Sequence, residues 1–214
     1  MKDSFANAEG RRVVDGIIRR IKENKAYLSE IDGQIGDGDH GINMSKGASL
    51  AEQALADDQG FADSLKTLGQ TILTEMGGAM GPLYGQFFRA LARPAKGREE
   101  IDGELFGEML RSGYEAIKKL GDAKVGDKTL VDTLDPAVET FNQSLEKGDS
   151  FASALAEMSR AAEKGKESTK EMVARKGRSA RLGERSKGVL DAGATSCWLI
   201  LDAMAQGIGE LLQE

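Results

Sequence analysis

The chain has little of what a secreted or membrane protein needs. Its 214 residues include one cysteine, Cys197, which cannot form an intramolecular disulfide, so the sequence gives no support for an oxidising compartment. The first ten residues lack the apolar core of a signal peptide. No apolar run approaches the ~18 residues that a transmembrane helix requires. We therefore expect a cytoplasmic protein that does not interact with a membrane.

Positive charge is also scarce. Lys and Arg number 29 against 35 Asp and Glu, and the net charge is −6. A general nucleic-acid binder needs a basic face that displaces phosphate counterions, so nucleic acid is not an expected partner. One local exception is the basic segment, residues 175–187, which contains no aromatic side chain for base stacking.

Proline is rare, with three in the chain, and this scarcity favours helix. Apolar residues recur at helical spacing along the whole sequence, and no segment alternates as a strand does. We therefore predict an all-α protein with one domain, residues 1–214. About eight helices are expected, over approximately 6–30, 44–55, 65–76, 82–91, 102–120, 133–146, 149–174 and 194–212.

Many of the 27 glycines fall in four loops between these helices, and the first loop carries Asp32, Asp37 and Asp39. Three carboxylates this close repel one another unless a cation lies among them, and an all-oxygen site suits Mg²⁺ or Ca²⁺. The spacing does not fit an EF-hand. A helix that starts near Ile42 adds the positive end of its dipole. The alternative is a solvated acidic turn.

The second loop is the glycine loop, residues 77–81 with the sequence GGAMG. Its glycines, Gly78 among them, can bring backbone N–H groups close to a phosphate at the start of the next helix. An ordinary helix–helix connection is the alternative. The third loop, 121–129, nearly matches a Walker A motif, but Asp127 intrudes and no strand precedes it. Its residues Asp127, Lys128 and Thr129 can still orient a nucleotide or brace the first loop, residues 31–41, which we call the metal loop.

The fourth loop contains the basic segment. Arg178 suits a phosphate because its planar guanidinium makes bidentate contacts. Asp191, which follows the segment, is either the cap of the last helix or a residue that closes over a bound nucleotide.

The four loops together, in this order and over essentially the whole chain, resemble the nucleotide-binding L subunit of dihydroxyacetone kinases. The combination is specific to that family, although no single loop is. The matching segments are IGDGDHG (35–41), GGAMGPLYG (77–85), GDKT (126–129), ARKGR (174–178) and LGERS (182–186).

The resemblance implies a barrel of eight antiparallel helices, with ADP or ATP held at one end through two Mg²⁺ ions. Asp32, Asp37 and Asp39 match the metal ligands of the family. The positions that match its nucleotide contacts are His40, Gly41, Ile42, Asn43, Ala79, Met80, Gly121, Leu130, Arg178, Asp191 and Gly193.

The implied reaction is phosphoryl transfer, in which positioning and charge neutralisation dominate. The three aspartates would hold Mg²⁺, while the glycine loop and Arg178 would stabilise the charge of the moving phosphoryl group. His40, the one histidine of the chain, is expected to hydrogen-bond to the nucleotide or the metal shell. A phosphohistidine relay through His40 is the alternative.

The resemblance also implies partners. In the family a separate K subunit binds the ketose covalently, and in one branch ADP is a bound coenzyme that a phosphotransferase-system protein rephosphorylates from phosphoenolpyruvate. We expect that branch. The alternatives are an ATP-dependent dihydroxyacetone or ketotetrose kinase subunit and a non-catalytic, nucleotide-sensing partner of a transcription regulator. The oligomeric state stays open, with a homodimer as one arrangement.

Two residues depart from the family pattern. Met80 stands where relatives commonly have serine, which removes a hydroxyl beside the expected phosphates. Ala192 replaces a common proline, which loosens the backbone without removing acceptors. Both substitutions leave the affinity for nucleotide open.

Overall fold

The computed structural model describes residues 2–214, and most of them are helical. This confirms the predicted all-α class. Within the described residues the α-helices are Arg11–Glu23 (α1), Lys25–Ile35 (α2), His40–Ala54 (α3), Phe61–Glu75 (α4), Met80–Ala92 (α5), Gly103–Leu120 (α6), Val131–Glu146 (α7), Phe151–Ser168 (α8) and Ala192–Leu211 (α9).

Eight of these helices form a closed ring. From α3 to α9 each helix packs against the next, and α1 packs against both α3 and α9. Helix α2 lies outside the ring and contacts α3 and α9. Residues just before α3, α5, α7 and α9 lie together in space, so these helices start at the same end of the ring and alternate in direction with the helices between them. The ring therefore has two ends, and the four loops that precede α3, α5, α7 and α9 lie at the same one.

The interior of the ring is apolar because each helix carries an apolar stripe at helical spacing. On α1, Val13, Val14, Ile17, Ile18 and Ile21 are all buried. Helices α4 and α5 pack closely where glycines face each other. A Cβ atom on Gly69 would lie 2.7 Å from the carbonyl oxygen of Gly85, so a larger residue at position 69 would push these helices apart.

The predicted first helix, 6–30, is wrong in its bounds. Helix α1 ends at Glu23, because Asn24 bonds back to the carbonyl of Arg20 with both its backbone N–H and its side-chain amide. The chain then starts again as α2. Residues Asn7–Glu9 form a 3₁₀ turn, and Gly10 packs against Phe61 and leads into α1.

The prediction that the chain has no strand is also wrong. Ser4–Ala6 (β1) pairs antiparallel with Glu100–Asp102 (β2), with Phe5 opposite Ile101. Both of these central side chains are buried. The small sheet fastens the start of the chain to the connection between α5 and α6, at the end of the ring away from the four loops.

Other boundaries differ less. The predicted helix 149–174 ends at Ser168 and continues as a 3₁₀ turn over Thr169–Glu171. The basic segment is not a plain loop, because Arg178–Ser186 is 3₁₀-helical with a break at Gly183. Asp102 is the N-cap of α6, since its Oδ1 accepts from the N–H of Leu105 at 2.8 Å.

The two ends of the described chain meet. The backbone N–H of Lys2 donates to the carbonyl of Leu212 at 2.9 Å, and Arg12 forms an ion pair with Glu214. Helix α9 has 20 residues, which corresponds to about 30 Å, and it separates these ends from Asp191. No helix in the described part of the chain is both long enough and apolar enough to cross a membrane.

Candidate nucleotide and metal site

A cleft of about 650 Å³ opens at the end of the ring where the four loops meet. Most residues that the sequence analysis singled out line it. These are Asp32, Asp37, Asp39, His40, Asn43, Gly78, Ala79, Met80, Gly121, Lys128, Thr129, Leu130, Arg178, Asp191, Ala192 and Gly193. The structure thus brings together side chains that lie up to 161 positions apart, Asp32 and Gly193 being the extremes.

Two residues of the expected set do not line the cleft. Gly41 packs against α2, where an added Cβ would lie 2.0 Å from the carbonyl oxygen of Lys25. A glycine is needed there for the close approach of α2 and α3. The Ile42 side chain is 51% exposed on the outer surface of α3. Neither side-chain position offers a contact within the cleft.

The acidic corner of the cleft consists of Asp32, Asp37 and Asp39. One carboxylate oxygen of each lies within 4.8 Å of the others. Glycines make this possible, since an added Cβ on Gly36 would lie 2.4 Å from Asp32 Oδ1, and Gly38 has a φ of +77°. The corner offers oxygen donors alone, which is the set that Mg²⁺ prefers, and it faces open space where phosphates can complete the coordination.

The glycine loop borders this corner. Gly78 has a φ of +70°, and added Cβ atoms on Gly77 and Gly78 would meet nothing within 4 Å, so the backbone here faces open space. Helix α5 starts at Met80, and no side chain caps its first N–H groups. These unpaired donors and the positive end of the helix dipole suit an anion.

The opposite wall is apolar and is formed by α5, α6 and the start of α7. Such a surface can cover the flat faces of an aromatic base, whereas the acidic corner and the glycine loop suit a phosphate chain. Its side chains are Met80, Leu83, Ile117, Leu120, Leu130 and Val131.

The basic segment closes the third side of the cleft. Arg178 follows Gly177, which has a φ of +70°, and its guanidinium forms an ion pair with Asp37. Lys176 binds Asp122 with a separation of 2.6 Å between Nζ and Oδ1. The segment therefore contacts both the metal loop and the loop that precedes α7.

Lys128 holds this segment in place from inside the protein. It is almost completely buried, with a φ of +61°, and its ammonium group donates to four backbone carbonyls. Two acceptors precede the basic segment, at Thr169 (2.7 Å) and Met172 (3.3 Å), and two lie at its end or just after it, at Ser186 (2.7 Å) and Val189 (2.5 Å). Lys128 thus braces the basic segment and not, as one sequence interpretation had it, the metal loop.

The loop before α7 is also internally bonded. The two carboxylate oxygens of the buried Asp132 accept from the N–H groups of Gly126 at 2.5 Å and Thr129 at 2.7 Å. The carbonyl of Asp127 accepts from the N–H of Arg175 at 3.1 Å, which joins this loop to the basic segment. Both loops are therefore fixed by hydrogen bonds before any ligand enters.

Asp191 caps α9, as one of the two sequence interpretations expected. Its Oδ2 accepts from the N–H of Ala194 at 2.7 Å. Burial raises the pKa of this carboxyl to about 6, although the capping bond and the positive charge of Lys128 act in the opposite direction. The side chain still lines the cleft, so the capping role and a contact to a ligand are compatible.

His40, at the start of α3, is buried in the wall of the cleft next to the acidic corner. Its Nε2 lies 2.9 Å from Ser196 Oγ, which in turn lies 2.5 Å from the hydroxyl of Tyr84. Burial lowers the pKa of His40 to about 4, against the opposing charge of Asp32, so the ring is neutral at pH 7.

The sequence interpretation missed the roles of Lys128, Tyr84 and Ser196. Tyr84 lies in one of the matching segments, so a signal for it existed. The contacts of Lys128 go to backbone carbonyls, and the side chains that Ser196 contacts, His40 and Tyr84, are over 100 positions away, so no local pattern indicates either role.

Comparisons with known proteins identify the family. Residues 34–206 match the DAK2 domain. The ADP-binding subunit DhaL of PEP-dependent dihydroxyacetone kinase 1 from Listeria innocua is 40% identical over 87% of this chain and 89% of its own length. The corresponding subunit of the PEP-dependent dihydroxyacetone kinase from Escherichia coli K12 is 43% identical over 84% and 86%.

The fold also occurs in a solved structure, the dihydroxyacetone kinase from C. freundii in complex with AMP-PNP and Mg²⁺. Its TM-score is 0.69 at 23% sequence identity, and the match covers 96% of this chain but 35% of that one. The chain therefore spans about a third of the C. freundii enzyme, and the likeness shows a shared fold. With the DAK2 match and relatives covered over most of their length, the chain belongs to the family of ADP-binding L subunits of dihydroxyacetone kinases.

Proposed function

We propose that this chain binds ADP or ATP in the cleft and transfers a phosphoryl group to dihydroxyacetone, or a related short ketose, held on a separate K subunit. The observation that carries the proposal is that the three-aspartate corner, the glycine loop and Arg178 line one cleft. Two relatives named as ADP-binding subunits of dihydroxyacetone kinase support it. We also propose that residues 1–214 belong to one domain.

The metal is proposed to bind at Asp32, Asp37 and Asp39. Their oxygens are close enough to share a cation, and carboxylates at such distances repel one another without one. When bound, Mg²⁺ supplies positive charge that offsets the phosphates. From the family resemblance we propose two ions. The C. freundii enzyme, solved in complex with AMP-PNP and Mg²⁺, supports a metal that binds with the nucleotide.

The protein itself contributes position and donors. The N–H groups at the start of α5 would hold the phosphates, and Arg178 would bind the transferred group, whose charge it can share through two parallel hydrogen bonds. The apolar wall would cover the base. The remaining contacts proposed from the resemblance are His40, Asn43, Gly78, Ala79, Met80, Gly121, Leu130, Asp191 and Gly193, all of which line the cleft.

We propose that ADP remains bound as a coenzyme and that a phosphotransferase-system protein rephosphorylates it. Both relatives reported above are named PEP-dependent, which favours this route over direct use of ATP. The K subunit is then the acceptor partner, and the phosphotransferase-system protein is the donor partner.

A gel-filtration experiment distinguishes the two routes. The purified chain should retain ADP through the column in Mg²⁺ buffer, and it should support phosphorylation of dihydroxyacetone when a K subunit, phosphoenolpyruvate and the phosphotransferase-system proteins are added. Rapid loss of nucleotide together with turnover on ATP alone would overturn the coenzyme route and leave the kinase assignment intact.

A variant tests the kinase assignment itself. Asp37→Ala should abolish phosphoryl transfer. The control is Asp15→Ala, which removes an exposed carboxylate that pairs with Arg11 on α1 and should leave transfer unchanged. Retained nucleotide binding with no transfer in the presence of every K subunit tried would argue for the nucleotide-sensing alternative.

A further inference from the structure

We propose that Ser196 and Tyr84 are positioning residues for His40. They hold a proton on Nε2 of the imidazole and thereby leave Nδ1 as an unprotonated acceptor that faces the cleft. The tautomer follows from the geometry of the chain alone. Its meaning for a bound nucleotide rests on the proposed function.

The three side chains come from three helices. His40 is the first residue of α3, Tyr84 lies on α5 and Ser196 on α9. Ser196 is fully buried and Tyr84 is 3% exposed, so water does not compete for their hydroxyl groups. The hydroxyl of Tyr84 is also 3.1 Å from the carbonyl oxygen of Gly193. The line of contacts therefore runs from the cleft to the backbone of α9.

Counting protons selects the tautomer. Ser196 Oγ lies within hydrogen-bond distance of His40 Nε2, the hydroxyl of Tyr84 and the carbonyls of Ala192 and Gly193, and the hydroxyl of Tyr84 also reaches the carbonyl of Gly193. Carbonyls only accept, and each hydroxyl has one proton. Without a proton on Nε2, two protons serve these five contacts.

With a proton on Nε2, three protons serve the five contacts. The imidazole then donates to Ser196 Oγ, and both hydroxyl protons remain available for a carbonyl or for the bond between Tyr84 and Ser196. The Nε2–H form leaves two of the five contacts without a proton and the other form leaves three, so the Nε2–H form is the one that this pocket favours.

The other ring nitrogen faces the cleft. Nδ1 of His40 is not a buried atom without a partner. Among residues 2–214 such side-chain atoms belong to Ser29, Gln59 and Ser64. Nδ1 also makes no hydrogen bond within this part of the chain, so it is in contact with the open space of the cleft that His40 lines. A bare imidazole nitrogen there accepts a hydrogen bond from an O–H group, such as a water or a nucleotide hydroxyl.

The test uses the fact that His40 is the one histidine of the chain. With ¹⁵N-histidine, a long-range ¹H–¹⁵N correlation spectrum of the ligand-free protein at pH 7.5 reports one ring. The parent should show the Nε2–H pattern, with a slowly exchanging proton on Nε2. In Ser196→Ala the exchange of that proton should be on the order of tenfold faster, as expected when one buried hydrogen bond is lost, and the Nδ1–H form should become detectable.

Two further variants make the result specific. Tyr84→Phe should shift the spectrum in the same direction as Ser196→Ala. Thr195→Val removes a hydroxyl from the same turn of α9 that bonds to the carbonyl of Asp191 and not to His40, and it should leave the ring spectrum unchanged. Circular dichroism and the backbone amide spectrum confirm that each variant is folded.

An Nδ1–H pattern in the parent would overturn the proposal. So would an unchanged ring spectrum in a folded Ser196→Ala variant, with Tyr84→Phe as the second case if that variant does not fold. The measurement needs neither nucleotide nor kinase activity, so its outcome is independent of whether the proposed function holds.

Discussion

The ammonium group of Lys128 lies 2.7 Å from the carbonyl oxygen of Ser186, 58 residues further along the chain. A second bond of 2.7 Å runs from the same group to the carbonyl of Thr169, on the other side of the basic segment. A single buried cation therefore joins both ends of the segment that carries Arg178. The position of that arginine in the cleft therefore depends on a residue 50 positions earlier in the chain.

Lys128→Met should lower the free energy of unfolding by about 2 to 4 kcal/mol, because four backbone carbonyls, two of them buried, lose their shared donor. Denaturation in urea, monitored by circular dichroism, measures this. Lys164→Met, on the exposed surface of α8, is the matched control and should change stability by less than about 0.5 kcal/mol. Equal stability of both variants would contradict the bracing role.

Gly78→Ala should destabilise the protein by about 1 to 2 kcal/mol, since φ at Gly78 is +70° and an L-residue is strained there. Gly77→Ala is the control in the same loop. An added Cβ at position 77 meets nothing within 4 Å, and its φ is not positive, so little change is expected. Thermal unfolding of the two variants side by side measures the difference, and equal melting temperatures would argue against strain at position 78.

Asp191→Asn should change how stability depends on pH. The pKa of Asp191 is raised from 3.8 to about 6, so between these values the folded state binds more protons than the unfolded state. Stability is thus lost as the pH rises through 6. The asparagine does not titrate, so the stability of the variant does not fall in this way as the pH rises. Its side-chain oxygen can still cap α9. Without nucleotide at pH 7.5 it should be more stable than the parent by about 1 to 2 kcal/mol, a discounted figure because the carboxyl lines the open cleft.

Urea denaturation at pH 4 and pH 7.5 measures that difference. Asp102→Asn is the control, because Asp102 also caps a helix but lies on the exposed surface. It should follow the pH dependence of the parent. If Asp191→Asn follows it as well, the buried carboxyl does not titrate as described.

Asp37→Asn should weaken the binding of ADP in the presence of Mg²⁺ by at least about tenfold, because the acidic corner loses one of its three carboxylates. In EDTA the variant should bind ADP as tightly as the parent or more tightly, since the lost negative charge no longer repels phosphate. Isothermal titration calorimetry under both conditions measures the two effects, with Asp15→Asn as the control. Equal weakening with and without Mg²⁺ would contradict a metal role for Asp37.

The sequence was sufficient for the helical class, and most of the residues that it singled out line the cleft. Apolar spacing predicts α6 and α9 closely because each of them buries one continuous stripe. The break at Asn24 was missed, since apolar residues continue at helical spacing on both sides of it. The two strands were missed because each has three residues, which is too short to show alternation.

Within the site, charge and glycine spacing indicated the acidic corner and the glycine loop, since both depend on residues adjacent in sequence. The function of Lys128 was not predictable in the same way. Its partners are backbone carbonyls, which every residue has, and their convergence on one ammonium group is a property of the folded chain. Gly41 shows the converse case, because a conspicuous position in the metal loop serves helix packing.

The hydrogen bond between Lys2 and Leu212 has a practical consequence for handling the protein. Both ends of the described chain lie beside each other, about one length of α9, or roughly 30 Å, from Asp191. A fluorophore or affinity tag attached at either end would begin far from the cleft. A short linker could also connect the two ends, and new termini could then be opened in the turn between α7 and α8, on the same side of the ring. Such a circular permutant would leave the four loops of the cleft intact.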